Sequence, residues 1–236
     1  AVLPTETDKL TRRDIRQGVR LACQVTARND LDVGVAEEIM GAESWTCRVA
    51  SRRTLSPLIR EIVLELPEGA ALRFRAGAFV QVTAPAYSLR FADYDIAPEH
   101  REAWQKVGLR DMVSHSAEPV SRAYSIANRP QDQGRIVLLI RLALPPPTVQ
   151  GAPPGIVSSY LFGLQPGDSV IVSGPFGDFH VQDTDREMVF IGGGVGMAPL
   201  RAMIHEQLAA GTKRKITFWY GARSGIDVFY KDEFDA

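Results

Sequence analysis

The sequence predicts an antiparallel β-barrel followed by the start of an α/β parallel-sheet domain. Short strands with period-two alternation, separated by turns, run from Trp45 onward. At Glu187 the pattern switches to buried strand, glycine turn and amphipathic helix, and a second continuous apolar run follows at Lys215–Ser224. The 236 residues suit one large or two modest domains. With 27 basic and 28 acidic residues, net charge −1, the chain offers no basic surface for nucleic acid. The longest apolar runs, such as Ile136–Ile140, are strand-sized and fall short of the roughly 20 residues of a membrane helix, so a soluble piece is expected. The opening AVLPTETDKLTRRD carries no secretory signature, and two cysteines, Cys23 and Cys47, suit a reducing compartment.

Residues 1–44 read as a charged leader, with a short strand expected around Gly18–Thr26 and a small acidic helix near Val35–Met40. Strands are expected at Thr46–Ser51, at Arg60–Leu66, where Ile62, Leu64 and Leu66 share a face, and at Ala78–Thr83. Residues 86–120 then form a long polar insert carrying Tyr87, Phe91, Tyr94 and Trp104. Without clear strands of its own, it reads as a functional or partner-contacting loop. Strands resume at Arg122–Ala127 and Arg135–Leu142, a PPP run follows, Gly155–Leu164 forms a short helix, and Ser169–Ser173 a further strand. Some six strands make a small barrel, giving a division at 1–44, 45–182 and 183–236. In the last part Pro199 sits near the first helical turn and Gly211 beyond the helix end, as helix chemistry prefers. A three-layer sheet needs more strands than these, so the α/β domain reads as truncated.

Three motifs carry chemistry. Gly192, Gly193, Gly194 and Gly196, between strand and helix, would let backbone N–H groups approach a pyrophosphate; tight strand-to-helix packing alone is the alternative. The spacing GGGVGMAP is neither G-x-G-x-x-G nor a P-loop. In RAYSIAN, Arg122 and Tyr124 share one side of a strand and Ser125 faces the other; a guanidinium suits a diphosphate and a phenol a flat conjugated ring, although a solvated arginine beside a packed tyrosine has the same pattern. In PPGIVSSYLFGL, Gly155 with Ser158 and Ser159 at a helix start offers donors to an anion, with serine N-capping as the alternative. Their order along the chain favours the binding readings together.

That ordered set resembles the ferredoxin-NADP reductase superfamily, and the insert FADYDIAPEHREAW, the run RLALPPP, FIGGGVGMAP and FWYGARS narrow the resemblance to the F-subunit family of sodium-translocating NADH:quinone reductases. The resemblance implies an FAD-binding barrel, an NAD-binding α/β domain, and electron transfer from NADH through FAD to a 2Fe-2S centre and on to quinone through other membrane subunits, at the cytoplasmic face of the bacterial inner membrane. It assigns Arg122 to the FAD pyrophosphate, and Tyr124 and Ser125, as the catalytic pair, to the isoalloxazine and its N5. Asn128, Arg141 and Ala143 flank the cofactor; Gly155, Val157, Ser158 and Ser159 clasp its pyrophosphate; Gly193, Gly194, Gly196, Met197 and Ala198 meet NADH. GVRLACQV resembles the end of a plant-type ferredoxin domain, with Cys23 as fourth thiolate of the cluster. The other thiolates and a late Cys-Gly-Pro segment are missing, so this chain is expected to bind FAD, to hold no cluster and to handle NADH poorly.

Arg129 stands where an aromatic residue is expected, and Cys47 reads as a small core residue. His100, His115, His180 and His205 lack metal spacing or a paired carboxylate and read as ordinary. A reductase component of an oxygenase system and a non-catalytic subunit-docking module are the alternatives.

Overall fold

The computed structural model describes residues 4–7, 10–21, 25–26, 28–30, 42–146, 148 and 151–235. They fall into two compact units, 1–36 and 37–236. In the first, α1 (Pro4–Thr7) precedes α2 (Arg12–Arg16). Thr11 and Asp14 close a capping box on α2: the Asp14 N–H donates to Thr11 Oγ1 at 3.2 Å and the Thr11 N–H to Asp14 Oδ2 at 2.9 Å. Buried Glu6 accepts from Arg20 Nη2 at 2.6 Å and from the Leu21 N–H at 3.0 Å. The strand expected at Gly18–Thr26 is not formed by its described members, whereas Cys23 and the expected helix at Val35–Met40 lie outside the described residues.

The second unit opens with β1 (Glu43–Ser56), long enough to pair with β8 (Ser169–Phe176) along its first half and with β2 (Ile59–Glu65) along its second. With β3 (Phe79–Ala84), β6 (Val120–Ser125) and β7 (Arg135–Arg141) they form one antiparallel sheet in the order β6-β3-β8-β1-β2-β7. The six expected strands are all present. Alternation places Ile62, Leu64, Val80, Val82, Ile136, Leu138, Val170 and Val172 inside. Cys47 is wholly buried among them, within β1, and burial pushes its thiol up to about 11. The sheet curls until Ile126, just past β6, bridges Leu138 of β7 and closes the barrel at that point.

The insert is not the strandless loop expected. It contains β4 (Tyr87–Arg90), α3 (Pro98–Lys106) and β5 (Val113–Ser116), with β4 and β5 paired. Its strands are four residues long, too short for alternation to show. The aromatic residues that mark it turn inward: Phe91, Tyr94, Trp104 and Leu109 form a core of their own, closed by Leu142 and Phe162. Trp104 Nε1 donates to the Pro57 carbonyl at 2.7 Å, fixing α3 to the barrel.

Helix α4 (Ile156–Gly163) contributes Val157 and Leu161 to the barrel core. After β8, the parallel pair β9 (Met188–Gly193) and β10 (Ile216–Gly221) is linked by α5 (Met197–Ala209), and α6 (Lys231–Asp235) follows. Leu200, Met203 and Ile204 of α5 pack on Met188 and Phe190. The expectation of strands buried on both faces is corrected here. Ile191 is 75% and Trp219 64% exposed, because α5 covers one face of the pair only.

Candidate cofactor site

The site begins where the barrel stops closing. Asn128, 2% exposed, clasps the junction: its Oδ1 accepts from the Val137 N–H at 2.8 Å, and its Nδ2 donates to the carbonyls of Arg129, Asp132 and Arg135 at 3.2 to 3.4 Å. Those bonds engage both ends of the side chain, so Asn128 holds the rim of the barrel. Arg129, where an aromatic was expected, is ion-paired with Asp132 at 2.8 Å on the same turn.

Beyond this clasp β6 and β7 part. Tyr124 and Ser125 pair with Val80 and Phe79 of β3, while Leu139 and Ile140 pair with β2, so the facing strand edges are free of each other. Helix α4 is docked at the parting: the Gly155 N–H donates to the Ala143 carbonyl at 2.8 Å, and Ser158 Oγ donates to the Gly155 carbonyl at 3.0 Å while accepting from the Ala143 N–H at 3.2 Å. A Cβ on Gly155 would stand 2.7 Å from Ala143 Cβ, so this close docking demands glycine. Ser158 therefore braces its own helix start, and Ser159 Oγ is buried without a partner. Among the described residues no side chain caps α4, which leaves the N–H groups of Ile156, Val157 and Ser158 without intrahelical acceptors at the positive end of the helix.

Charge and aromatic surface complete the groove. Arg122 is exposed and donates to the Ser121 carbonyl at 2.8 Å; neither it nor Arg141 has a carboxylate partner among the described residues. Tyr124 is half-buried; burial raises its phenol above the ordinary value, with the Arg122 guanidinium acting the other way, so it stays a neutral donor. Free helix donors, two unpaired guanidinium groups and an aromatic edge fit a flat conjugated ring carrying a diphosphate.

The glycine loop divides into structural and open positions. A Cβ on Gly192 would meet Leu200 Cδ1 at 2.5 Å and one on Gly193 the Gly221 carbonyl oxygen at 2.1 Å; Gly194 has φ +53°. These three are glycines because of the chain itself. A Cβ on Gly196 would meet nothing within 4 Å, so space beside the helix start is open to a ligand. Met197 and Ala198 are 0% and 2% exposed and pack with Ile59, Val137 and Leu139 of the barrel. Their side chains therefore fix α5 to the barrel.

Two clusters escaped the sequence reading. In one, Tyr87 Oη donates to the Ile156 carbonyl at 2.6 Å, Tyr94 Oη to the Ser159 carbonyl at 2.7 Å, and buried Arg60 to the carbonyls of Phe162 and Asp95. Burial and neighbouring Arg52 lower the Arg60 guanidinium to about 10, against the pull of Asp95 and Tyr94, and it remains charged at neutral pH. In the other, Arg201 of α5 donates to the Ala127 carbonyl at 2.8 Å and pairs with Glu233 at 2.6 Å, while His205 Nε2 lies 2.5 Å from the same carboxylate. His205 thus has the carboxylate partner that its sequence neighbourhood lacks. The i, i+4 spacing of Arg201 and His205 was the available signal, but their partner lies 28 residues beyond His205. His100 is buried, and His180 Nδ1 lies 3.0 Å from the Ala76 carbonyl.

Two family models match: an oxidoreductase FAD-binding domain over residues 107–181 and an oxidoreductase NAD-binding domain over 190–236. The parting strands β6 and β7, the uncapped helix and the glycine loop fall within those spans. Among solved structures, a cytochrome P450 reductase from Amycolatopsis aligns with a TM-score of 0.62 at 25% identity, covering 97% of this chain and 59% of its own. A phthalate dioxygenase reductase aligns with a TM-score of 0.57 at 21% identity, covering 86% and 50%. The chain has a ferredoxin-NADP reductase-like fold, in which a match to an oxidoreductase FAD-binding domain precedes one to an oxidoreductase NAD-binding domain.

Curated relatives refine the class. The F subunit of the Na(+)-translocating NADH-quinone reductase is 50% identical in Methylococcus capsulatus and 48% in Yersinia pseudotuberculosis, over 99% of this chain and 58% of each relative. This chain is similar to that F subunit along nearly its whole length, and it spans 58% of the length of these relatives.

Proposed function

We propose that this chain is the part of a Na+-translocating NADH:quinone reductase that takes electrons from NADH onto FAD. From there they pass to a 2Fe-2S centre and on to quinone through membrane partner proteins. FAD, when bound, supplies a ring that accepts one hydride, a proton with an electron pair, and releases the two electrons singly. The protein supplies placement. Arg122 and the first-turn N–H groups of α4 would hold the diphosphate from two sides, with Gly155, Val157, Ser158 and Ser159 forming that helix start. Tyr124 would lie against the flavin ring and Ser125 would meet its reactive edge, while Arg141 and Ala143 would border the adenosine side. Gly193, Gly194 and Gly196 would lead NADH past the start of α5. In the full-length protein Cys23 would be one thiolate ligand of the cluster, and the complex would present this part at the cytoplasmic face of the membrane. In this reading residues 45–182 form the FAD domain and 183 onward the NAD domain.

The observation that carries the proposal is the parting of β6 from β7 beside an uncapped helix start flanked by unpaired Arg122 and Arg141. Identity of 48 to 50% along nearly the whole chain favours this family over oxygenase reductases, whose likeness here is one of fold. The test is cofactor analysis of the purified chain, expected to be yellow with equimolar FAD, together with NADH-dependent bleaching in the full-length protein. A chain that neither retains FAD nor binds it on titration would overturn the reading.

A further inference from the structure

The insert and Arg60 of β2 both bond α4, and the bonds they make are not scattered. Tyr87 Oη donates to the carbonyl of Ile156, the first residue of α4, and Tyr94 Oη to that of Ser159. Arg60 donates to the Phe162 carbonyl near the C-terminal end and lies 4.1 Å from the centre of the Phe162 ring.

Each accepting carbonyl shares a peptide group with the next N–H. The Ile156 carbonyl belongs to the peptide whose N–H is that of Val157, one of the three free donors at the helix start. The Ser159 carbonyl belongs to the peptide whose N–H is that of Tyr160, and helix geometry bonds this N–H back to the Ile156 carbonyl. A continuous chain therefore runs from Tyr94 through Ser159, Tyr160 and Ile156 to Val157, with Tyr87 joining at Ile156. Hydrogen bonds in such a chain polarise one another, so both phenols strengthen the Val157 N–H as a donor. Arg60 adds a fixed positive charge at the C-terminal end, where helix carbonyls are left over.

We infer that the 86–120 insert is a built-in brace for the diphosphate-binding helix, with Tyr87 and Tyr94 as positioning residues that orient and polarise the first turn of α4 toward the FAD diphosphate. The inference rests on the FAD reading above. It gives the insert a task inside this chain: both phenols act on α4 through hydroxyl bonds, Tyr94 from within the Phe91, Trp104 and Leu109 core and Tyr87 from against the barrel core.

The test measures binding of two flavins to the chain and to its Tyr94→Phe and Tyr87→Phe variants by quenching of flavin fluorescence. FAD carries the diphosphate; riboflavin has the same ring and no phosphate. Each variant should weaken FAD by about fivefold to tenfold, the scale of one buried hydrogen bond, and leave riboflavin affinity unchanged. Loss of both affinities together would mean that the hydroxyls only support the fold, and an unchanged FAD affinity in both variants would equally overturn the brace. Failure of the unmodified chain to bind FAD would instead defeat the underlying cofactor reading. Phenylalanine preserves both rings, and Tyr87→Phe, which also loses the 2.7 Å bond with Ser114, keeps the test alive should Tyr94→Phe misfold.

Discussion

Two alanine substitutions three residues apart in the glycine loop should have opposite consequences. At Gly193 the added methyl would lie 2.1 Å from the Gly221 carbonyl oxygen and 3.1 Å from its carbon, in the register where β9 and β10 pair. Backbone cannot swing aside as a side chain does, so the last pair of the parallel ladder must open. Overpacking of this kind costs about 1–3 kcal/mol or more. At Gly196 the backbone has φ −62° and ψ −13°, which any L-residue adopts, and the methyl would meet nothing within 4 Å. There alanine should stabilise by about 0.4–1 kcal/mol through the unfolded chain. Paired urea melts of the FAD-loaded chain measure both effects. NADH titration of the full-length protein measures a third: Gly196→Ala should weaken NADH about tenfold, because the methyl occupies the open side of the helix start. A Gly193→Ala protein as stable as the parent would refute the packing argument. A stable Gly196→Ala protein with undiminished NADH affinity would refute the route assigned to the nucleotide.

Asn128→Ala should cost about 1–3 kcal/mol in denaturant unfolding, since it strands the buried Val137 N–H, and riboflavin binding should survive if Asn128 touches no flavin. Cys47 should resist alkylation in the native chain at pH 8 and react on unfolding, read by peptide mass spectrometry, because its thiol is buried and titrates near 11. At Glu233 burial opposes ionisation, but bonds from Arg201 and His205 outweigh it and hold the carboxyl below its ordinary value of 4.5. A carboxyl depressed on folding stabilises above that value and loses the contribution as pH falls through its folded value. Acid unfolding should therefore be less steep in Glu233→Gln than in the parent below about pH 4.5, and identical limbs would count against the pair.

Strands with a one-sided core were legible because alternation is a local property: Ile62 and Leu64, or Val80 and Val82, announce an inward face over a few residues. The glycine loop and α5 were legible for a similar reason, since the turn and the helix stop lie next to what they terminate. The insert was not, because β4 and β5 are four residues each and its core draws on Leu142 and Phe162, which follow it in sequence. Helix α2 had a local signal, Thr11 with Asp14 three residues on, masked by the charge of its neighbours. Among the residues singled out in the sequence, Arg122, Tyr124 and Gly155 lie on β6 and at the start of α4, beside the parting of β6 and β7. Asn128, Met197 and Ala198 belong to the same motifs, yet their side chains are taken up by the frame. A motif read in one dimension does not separate residues that touch a ligand from residues that hold those that do.

The two clusters invisible to that reading bear on a single requirement of hydride transfer, which is that donor and acceptor be held at a fixed approach. Arg201 ties α5, which starts at the open glycine, to the carbonyl of Ala127, two residues beyond Ser125 at the end of β6. Glu233 holds that guanidinium from the far side, and Tyr230, 4.7 Å beneath it, donates to Glu61 of β2. A shift of the nucleotide-side helix would therefore have to break bonds to β2 and to the β6 end together. The brace on α4 acts on the opposite wall of the groove through Arg60, the neighbour of Glu61 on the same strand. Successive residues of β2 thus reach both walls, Arg60 through guanidinium bonds to α4 and Glu61 through the hydroxyl of Tyr230. The pleat accounts for this, since adjacent side chains leave a strand on opposite faces and one short strand can anchor two different structures.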